Sequence, residues 1–159
     1  MKGSVIDKIL RGVEGYGEVL SIDQLHHLKR GKMYIVNTKP SYHPGEHWIV
    51  IDRTKKQPYL FDSFGKTPKF YGLPKMTYWK RHLQHPDSNT CGIYSMYYIV
   101  QRSRHYSPQY MFEQYGANRT NNDRKVQQWL KNRLKQIKKK IIIKKINKKY
   151  IYKYKNGLA

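Results

Sequence analysis

Three short apolar segments in the first half of the chain constrain its fold most strongly. They are "KMYIVNT" (32–38), "HWIVIDR" (47–53) and "QPYLFDSFG" (57–65), each rich in β-branched and aromatic residues. Runs of this composition, bounded by Pro, Gly and Lys, predict β-strands. Only a turn-like "RTKKQP" joins the second to the third, so we expect these two to pair as an antiparallel hairpin. The sequence therefore predicts a sheet at the centre of the protein.

Helical patterns surround these segments. Apolar residues at helical spacing predict a helix over 4–11, a mostly buried helix from Cys91, and a last helix from near Asn122. The glycine-rich stretch 12–21 is interpreted as a loop, and 76–84 as a further strand. The predicted fold class is α+β, with a mostly antiparallel central sheet packed against helices.

Positive charge is concentrated at the end of the chain. The net charge is +22, and residues 131–159 hold twelve Lys and Arg and no acidic residue. We divide the chain into a folded domain, 1–134, and a Lys-rich basic tail, 135–159. Lysines interleaved with aromatics suit phosphate neutralisation and base stacking, so DNA is an expected partner. The alternative is a solvated extension without a binding role. The candidate DNA-binding residues are Lys138, Lys139, Lys140, Lys144, Lys145, Lys148 and Lys149.

Two classes of protein are not expected from this composition. No run of about 18 apolar residues occurs, and the first residues lack the pattern of a signal peptide, so we expect an intracellular protein without a membrane partner. The chain has one cysteine, which rules out an internal disulfide and a cysteine-rich zinc site. We therefore expect no metal.

That cysteine, Cys91, lies where polar "PDSNT" meets an apolar run, within "LQHPDSNTCGIYSMYYIV" (83–100). A free cysteine is most often a small buried hydrophobic residue. A nucleophilic cysteine needs a lowered pKa, which a helix N-terminus and a neighbouring histidine provide. The predicted helix start supplies the first of these, and Gly92 would let a substrate backbone come close.

Among seven histidines, His47 is distinguished because it opens a strongly apolar strand. Asp62 ends the next strand, so the predicted hairpin brings the two side chains together. A carboxylate there would orient the imidazole, although Asp at a strand end is also a common turn residue. The amide of Gln84 and the backbone N–H of Cys91 could bind an oxyanion, whereas most glutamines are solvated surface residues.

Together these residues resemble the adenovirus-type cysteine proteases, which are related in fold to the SUMO-deconjugating proteases. The matching segments are "GEHWIVI", "YLFDSFG" and "LQHPDSNTCGIYSMYYIV", in the order His, Asp, Gln, Cys, with Gln seven residues before Cys. The resemblance extends over about 20–130 and is most specific between 33 and 100. It implies an adenain-like fold with the nucleophile at the N-terminus of a buried helix.

Carried over to this chain, the resemblance implies a role for each residue. Cys91 becomes the nucleophile of a thiol endopeptidase, His47 the general base and acid, Asp62 the orienting carboxylate and Gln84 the oxyanion donor. Trp48, like Gly92, is a candidate for the substrate groove, which in this family is narrow and selects glycine beside the scissile bond.

The resemblance also implies partners and a setting. We expect viral precursor polypeptides as substrates, DNA as a cofactor, and a location in the virion and the host nucleus. A disulfide-linked activating peptide is excluded because no second cysteine exists, whereas a noncovalent peptide is not. Two alternatives stay open: a deconjugating protease for a ubiquitin-like modifier, and a nonenzymatic, basic nucleic-acid-binding packaging protein.

Overall fold

A computed structural model of the chain describes residues 1–156, with the backbone alone for residue 146 and for 148–156. The strands are β1 (Tyr16–Ser21), β2 (Met33–Asn37), β3 (Trp48–Asp52), β4 (Tyr59–Phe61) and β5 (Thr77–Tyr78). The α-helices are α1 (Gly3–Leu10), α2 (Cys91–Arg102), α3 (Pro108–Met111) and α4 (Arg119–Asn156). Two 3₁₀ helices span Ile22–His27 and Pro68–Tyr71. The predicted α+β class is confirmed.

The strands form one sheet in the order β1-β2-β3-β4-β5. The central pairs, β2 with β3 and β3 with β4, are antiparallel, whereas the outer pairs, β1 with β2 and β4 with β5, are parallel. The expectation of a mostly antiparallel sheet is therefore wrong, and the sheet is mixed. Each outer connection contains a 3₁₀ helix and returns the chain to the same end of the sheet before the next strand begins.

The interpretation of 12–21 as a loop is wrong for its second half, which forms β1. A glycine is required in this strand at position 17, because a Cβ there would lie 2.6 Å from the ring of Tyr34. The glycine thus accommodates a large side chain of the neighbouring strand. In the predicted strand 76–84, only Thr77 and Tyr78 pair with the sheet.

The sheet is buried on both faces, which follows from the alternation of its side chains. Ile35, Val50 and Phe61 face a large cluster formed with α1, α2 and the first part of α4. Leu60 and Ile51 face a smaller cluster covered by the 3₁₀ helices and their flanking residues. Each fully buried side chain of this size contributes about 1.5–3 kcal/mol by leaving water, so the central strands are firmly fixed.

Helix α2 is buried along most of its length against this sheet. Nine of its residues, from Cys91 to Val100, are buried, and it packs chiefly on β3. The first turn of α2 is therefore held in a fixed position relative to the start of β3. In residues 1–156, no helix is both long and apolar enough to cross a membrane.

Candidate active site

The hairpin of β3 and β4 brings His47 and Asp62 into contact, as predicted. Val50 is paired with Phe61, so the register continues with Asp62 opposite Ile49, and His47 lies two residues before Ile49 on the same side of the strand. Nε2 of His47 lies 2.7 Å from Oδ1 of Asp62. Because Nε2 is used by this bond, Nδ1 is the ring nitrogen left for a second partner.

Asp62 is fully buried and accepts four hydrogen bonds. Oδ1 accepts from the backbone N–H of Phe64 (3.0 Å) and from His47, while Oδ2 accepts from the backbone N–H of Lys66 (3.0 Å) and the hydroxyl of Tyr71 (2.8 Å). Burial raises the pKa of the carboxyl group, but these donors outweigh it and lower the pKa overall. Asp62 is thus a carboxylate with a fixed orientation.

A tight turn creates this environment. The N–H of Gly65 donates to the carbonyl of Asp62 at 2.9 Å, and Gly65 has φ +68°. A Cβ at Gly65 would lie 2.9 Å from backbone atoms of Arg81, so glycine is required both for its conformation and for its packing. The turn directs the amides of Phe64 and Lys66 at the carboxylate. Asp62 is therefore both a turn residue, which is the alternative interpretation, and the hydrogen-bond partner of His47.

Aromatic rings hold the imidazole on its other side. The ring of Phe64 stacks on His47 with centroids 4.9 Å apart, and the ring of Tyr71 lies 6.3 Å away at 20°. The sequence pattern does not identify either aromatic residue, because a Phe in a turn and a Tyr in a single 3₁₀ turn have no distinctive spacing. Both restrict His47 to one orientation.

Cys91 is the first residue of α2, as predicted, and lines the same cleft as His47. Burial raises the pKa of its thiol, but the interaction with His47 and the backbone N–H groups of Trp48 and Gly92 outweigh burial and lower it. Burial in turn lowers the pKa of His47, but the hydrogen bond with Asp62 and the interaction with Cys91 raise it to about 9. The lowered pKa of Cys91 and the raised pKa of His47 both favour a thiolate paired with an imidazolium.

Gln84 is buried and is oriented by two hydrogen bonds. Its Oε1 accepts from the hydroxyl of Ser63 at 2.7 Å, and its Nε2 donates to the carbonyl of Ser88 at 2.7 Å. Gln84 and Cys91 both line one open cleft with a volume of about 730 Å³. This placement is consistent with the expectation that the amide of Gln84 lies near Cys91.

The first part of α4 anchors the segment between Gln84 and Cys91. The carboxylate of Asp123 accepts from the backbone N–H of His85 (3.2 Å) and from the hydroxyls of Thr90 (3.1 Å) and Tyr94 (3.0 Å). Thr90 precedes α2 but makes no side-chain capping bond to it. The hydroxyl of Thr90 is used instead for this tertiary contact with Asp123, which no local pattern predicts.

The two groove candidates have different positions. Trp48 lines the cleft and its Nε1 donates to the carbonyl of Met1 at 3.3 Å. Gly92 is buried beneath Trp48, and a Cβ at this position would lie 3.1 Å from the indole. Gly92 therefore lets the indole pack on the first turn of α2.

The basic candidates lie on α4, in a single helix that continues across position 134. The side chains of Lys138, Lys139, Lys140, Lys144 and Lys145 are exposed, and none of them lines the cleft. The side chains of Lys148 and Lys149 lie outside the described residues. The assignment of 135–159 as a separate tail stays a prediction.

The cleft and the buried carboxylate beside it thus bring together a thiol, an imidazole bonded to that carboxylate and a side-chain amide, a set of groups that could carry out acyl transfer through a thioester. Among the residues that the structure describes, no group of three or more His, Cys, Asp or Glu side chains could hold a metal ion. In comparisons with known proteins, no family model matches the chain and no curated protein shows a significant match.

Proposed function

We propose that this chain is a cysteine endopeptidase with an adenain-like fold that cleaves beside glycine in precursors of virion proteins. The observation that carries the proposal is one cleft lined by both Cys91 and His47, with the His47 side chain bonded to buried Asp62. A buried thiol with only a packing role needs no imidazole held in this way. The resemblance to the adenovirus-type proteases supplies the substrate class.

In the acylation step, the Sγ thiolate of Cys91 attacks the carbonyl carbon of the scissile amide. The oxygen of the tetrahedral intermediate accepts from the backbone N–H of Cys91 and from Nε2 of Gln84. His47 then gives the proton on Nδ1 to the leaving nitrogen, the C–N bond breaks, and a thioester remains on Cys91.

Deacylation uses the same groups in reverse. Neutral His47 takes a proton from water, the resulting hydroxide attacks the thioester carbonyl, and the C–S bond breaks. The acid product leaves, and thiolate and imidazolium are restored. Asp62 stays ionised throughout and stabilises the imidazolium in both steps.

The basic helix gives the protease a second surface, for DNA. Exposed lysines on α4 beyond position 134 would neutralise phosphates, and bound DNA would stimulate cleavage or retain the enzyme near packaged genome. This role accords with a protease that acts in the virion and the host nucleus. A noncovalent peptide activator is also compatible, since no disulfide is needed for it.

The first test is mass spectrometry after brief exposure to a peptide vinyl sulfone ending in Gly-Gly, with and without duplex DNA. We expect labelling of Cys91 in the wild-type protein and none in Cys91→Ala. His47→Ala should label more slowly, because burial of the Cys91 thiol, which raises its pKa, is then no longer opposed by the imidazolium. His26→Ala, which changes an exposed histidine outside the cleft, is the matched control.

Substrate classes are separated by a second assay. Cleavage of glycine-containing virion precursors, with no cleavage of ubiquitin-like fusions, supports the proposal, whereas the reverse pattern indicates a deconjugating protease. A thiol that reacts neither with the probe nor with iodoacetamide at neutral pH, in a protein that binds DNA, would overturn the proposal in favour of a nonenzymatic packaging protein.

A further inference from the structure

Ser63 lies next to Asp62 and is bonded to Gln84 through both its side chain and its backbone. Its hydroxyl donates to Oε1 of Gln84 at 2.7 Å, and its carbonyl accepts from the N–H groups of Leu83 (2.8 Å) and Gln84 (3.2 Å). Ser63 and Gln84 are each 1% exposed. Water therefore has almost no access to this contact and cannot readily replace the hydroxyl.

The contact holds the acceptor end of the amide, while the carbonyl of Ser88, which can only accept, holds the donor end. A glutamine amide has an acceptor end and a donor end of nearly the same shape, so its orientation follows from its hydrogen bonds. The hydroxyl of Ser63 satisfies Oε1. Nε2 then carries two N–H groups, one of which is bonded to the carbonyl of Ser88, and the other is available to the cleft that Gln84 lines.

We infer that Ser63 is a positioning residue that fixes the Gln84 amide as an oxyanion donor; this inference rests on the proposed function. Asp62 and Ser63 are consecutive residues after β4, and one orients the base while the other orients the oxyanion donor. The turn that follows β4 thereby couples the two groups in space. A single peptide unit, rather than two independent loops, therefore connects the residue that orients the base to the residue that orients the oxyanion donor.

The test compares Ser63→Ala, Gln84→Ala and the double variant in the full-length chain. Removing an oxyanion donor lowers kcat by about 100- to 1,000-fold, and a misoriented donor should lose a substantial part of this, so Ser63→Ala should lower kcat roughly 10- to 100-fold. KM should change little. Because Ser63 acts through Gln84, Ser63→Ala should have no further effect in the Gln84→Ala background.

A second pair of measurements separates positioning from a general loss of structure. A peptide aldehyde forms a tetrahedral adduct with an oxyanion, so its affinity should fall in parallel with kcat in Ser63→Ala. Alkylation of Cys91 by iodoacetamide forms no oxyanion, so its rate and pH dependence should stay at wild-type values. Ser103→Ala, which removes a hydroxyl bonded to the Val100 carbonyl at the far end of α2, is the control.

The outcomes are distinct. Equal losses from Ser63→Ala in both backgrounds, or a fall in alkylation that matches the fall in kcat, would overturn the inference while the protease proposal stands. Ser63→Thr, which keeps the hydroxyl, should recover part of the lost kcat if it folds. If the wild-type protein shows neither turnover nor alkylation that depends on His47, both proposals fail together.

Discussion

The cleft and the outer part of α4 differ in how their charged groups are held. In the cleft, Asp62 is completely buried and accepts four hydrogen bonds, and His47 is enclosed by that carboxylate and two aromatic rings. On α4, the five described candidate lysines are exposed to solvent. A function that depends on geometry should be lost when a single side chain is changed. A function that depends on charge density should decline gradually as charges are removed and should weaken as the salt concentration rises.

The largest effect is expected from Asp62→Asn. The substitution removes the negative charge that stabilises imidazolium, and the new amide can donate to Nε2 and favour the wrong tautomer of His47. We expect kcat to fall by about 10³-fold or more, as for other triads of this type. Because Asp62 helps to raise the pKa of His47 to about 9, the alkaline limb of the kcat/KM profile should move to lower pH.

Asp52→Asn is the matched control for this prediction. Asp52 is also buried and charged, but its Oδ2 accepts from the hydroxyl of Tyr98 and from Nε of Arg102, both at 3.0 Å, outside the cleft. We expect Asp52→Asn to lower the urea midpoint without moving the alkaline limb. A limb that moves equally in both variants would contradict the assigned role of Asp62.

The sequence predicts one half of the cleft better than the other. The contact of His47 with Asp62 follows from two apolar strands joined by a short turn, because the pairing of a hairpin is set locally. The start of α2 at Cys91 follows likewise from helical spacing after a polar segment. Both predictions use patterns within about 20 residues.

The contacts of Ser63 and Asp123 could not be predicted in this way. Ser63 meets Gln84 across 21 positions, and Asp123 meets Thr90 across 33, through segments without regular periodicity. Strand β1 is not predicted from the sequence for a related reason: Gly17 leaves room for the ring of Tyr34 on the adjacent strand, a tertiary effect that outweighs the low strand propensity of glycine.

The next largest effect concerns pH. Since the pKa of Cys91 is lowered and that of His47 is raised to about 9, thiolate and imidazolium coexist between those two values. The kcat/KM profile should therefore fall on the acid side as the thiolate is protonated and above about pH 9 as His47 loses its proton. Alkylation by iodoacetamide should show the acid limb alone, because it needs no proton donor.

In His47→Ala, burial is no longer opposed by imidazolium, so the pKa of Cys91 should rise and the alkylation midpoint should move to higher pH. Stopped-flow alkylation across pH 5–10, read by peptide mass spectrometry, measures this shift. An unchanged midpoint would mean that His47 does not activate the thiol.

A smaller effect is expected from Asp123→Ala, which tests the anchor between α4 and the cleft. The substitution leaves three donors without their acceptor in a buried setting, and each costs about 1–3 kcal/mol unless water reaches it. We expect a clear loss of stability in urea denaturation and a fall in kcat under native conditions, because the segment 84–91 is less firmly held. Asp87→Ala changes a highly exposed carboxylate in the same segment and should do neither.

The smallest catalytic effect, and the sharpest contrast with the cleft, is expected from replacing Lys138, Lys139, Lys140, Lys144 and Lys145 by Gln. Glutamine keeps good helix propensity, so α4 should persist. Cleavage of a short peptide without DNA should be unchanged. The slope of log K against log salt for duplex DNA should become shallower by about 0.9 for each phosphate that the variant no longer neutralises.

Fluorescence anisotropy between 50 and 200 mM salt gives that slope, and Lys55→Gln with Lys56→Gln, in the turn between β3 and β4, controls for net charge. If the control reduces the slope as much per lysine as the α4 variant does, DNA binding follows the total charge of the protein and α4 is not a dedicated surface. If the α4 variant alone loses both DNA affinity and DNA-stimulated turnover, the charge on α4 regulates the cleft. Catalysis itself then depends on the geometry of the cleft and not on that charge. The two regions would then be separable in catalysis and linked in regulation.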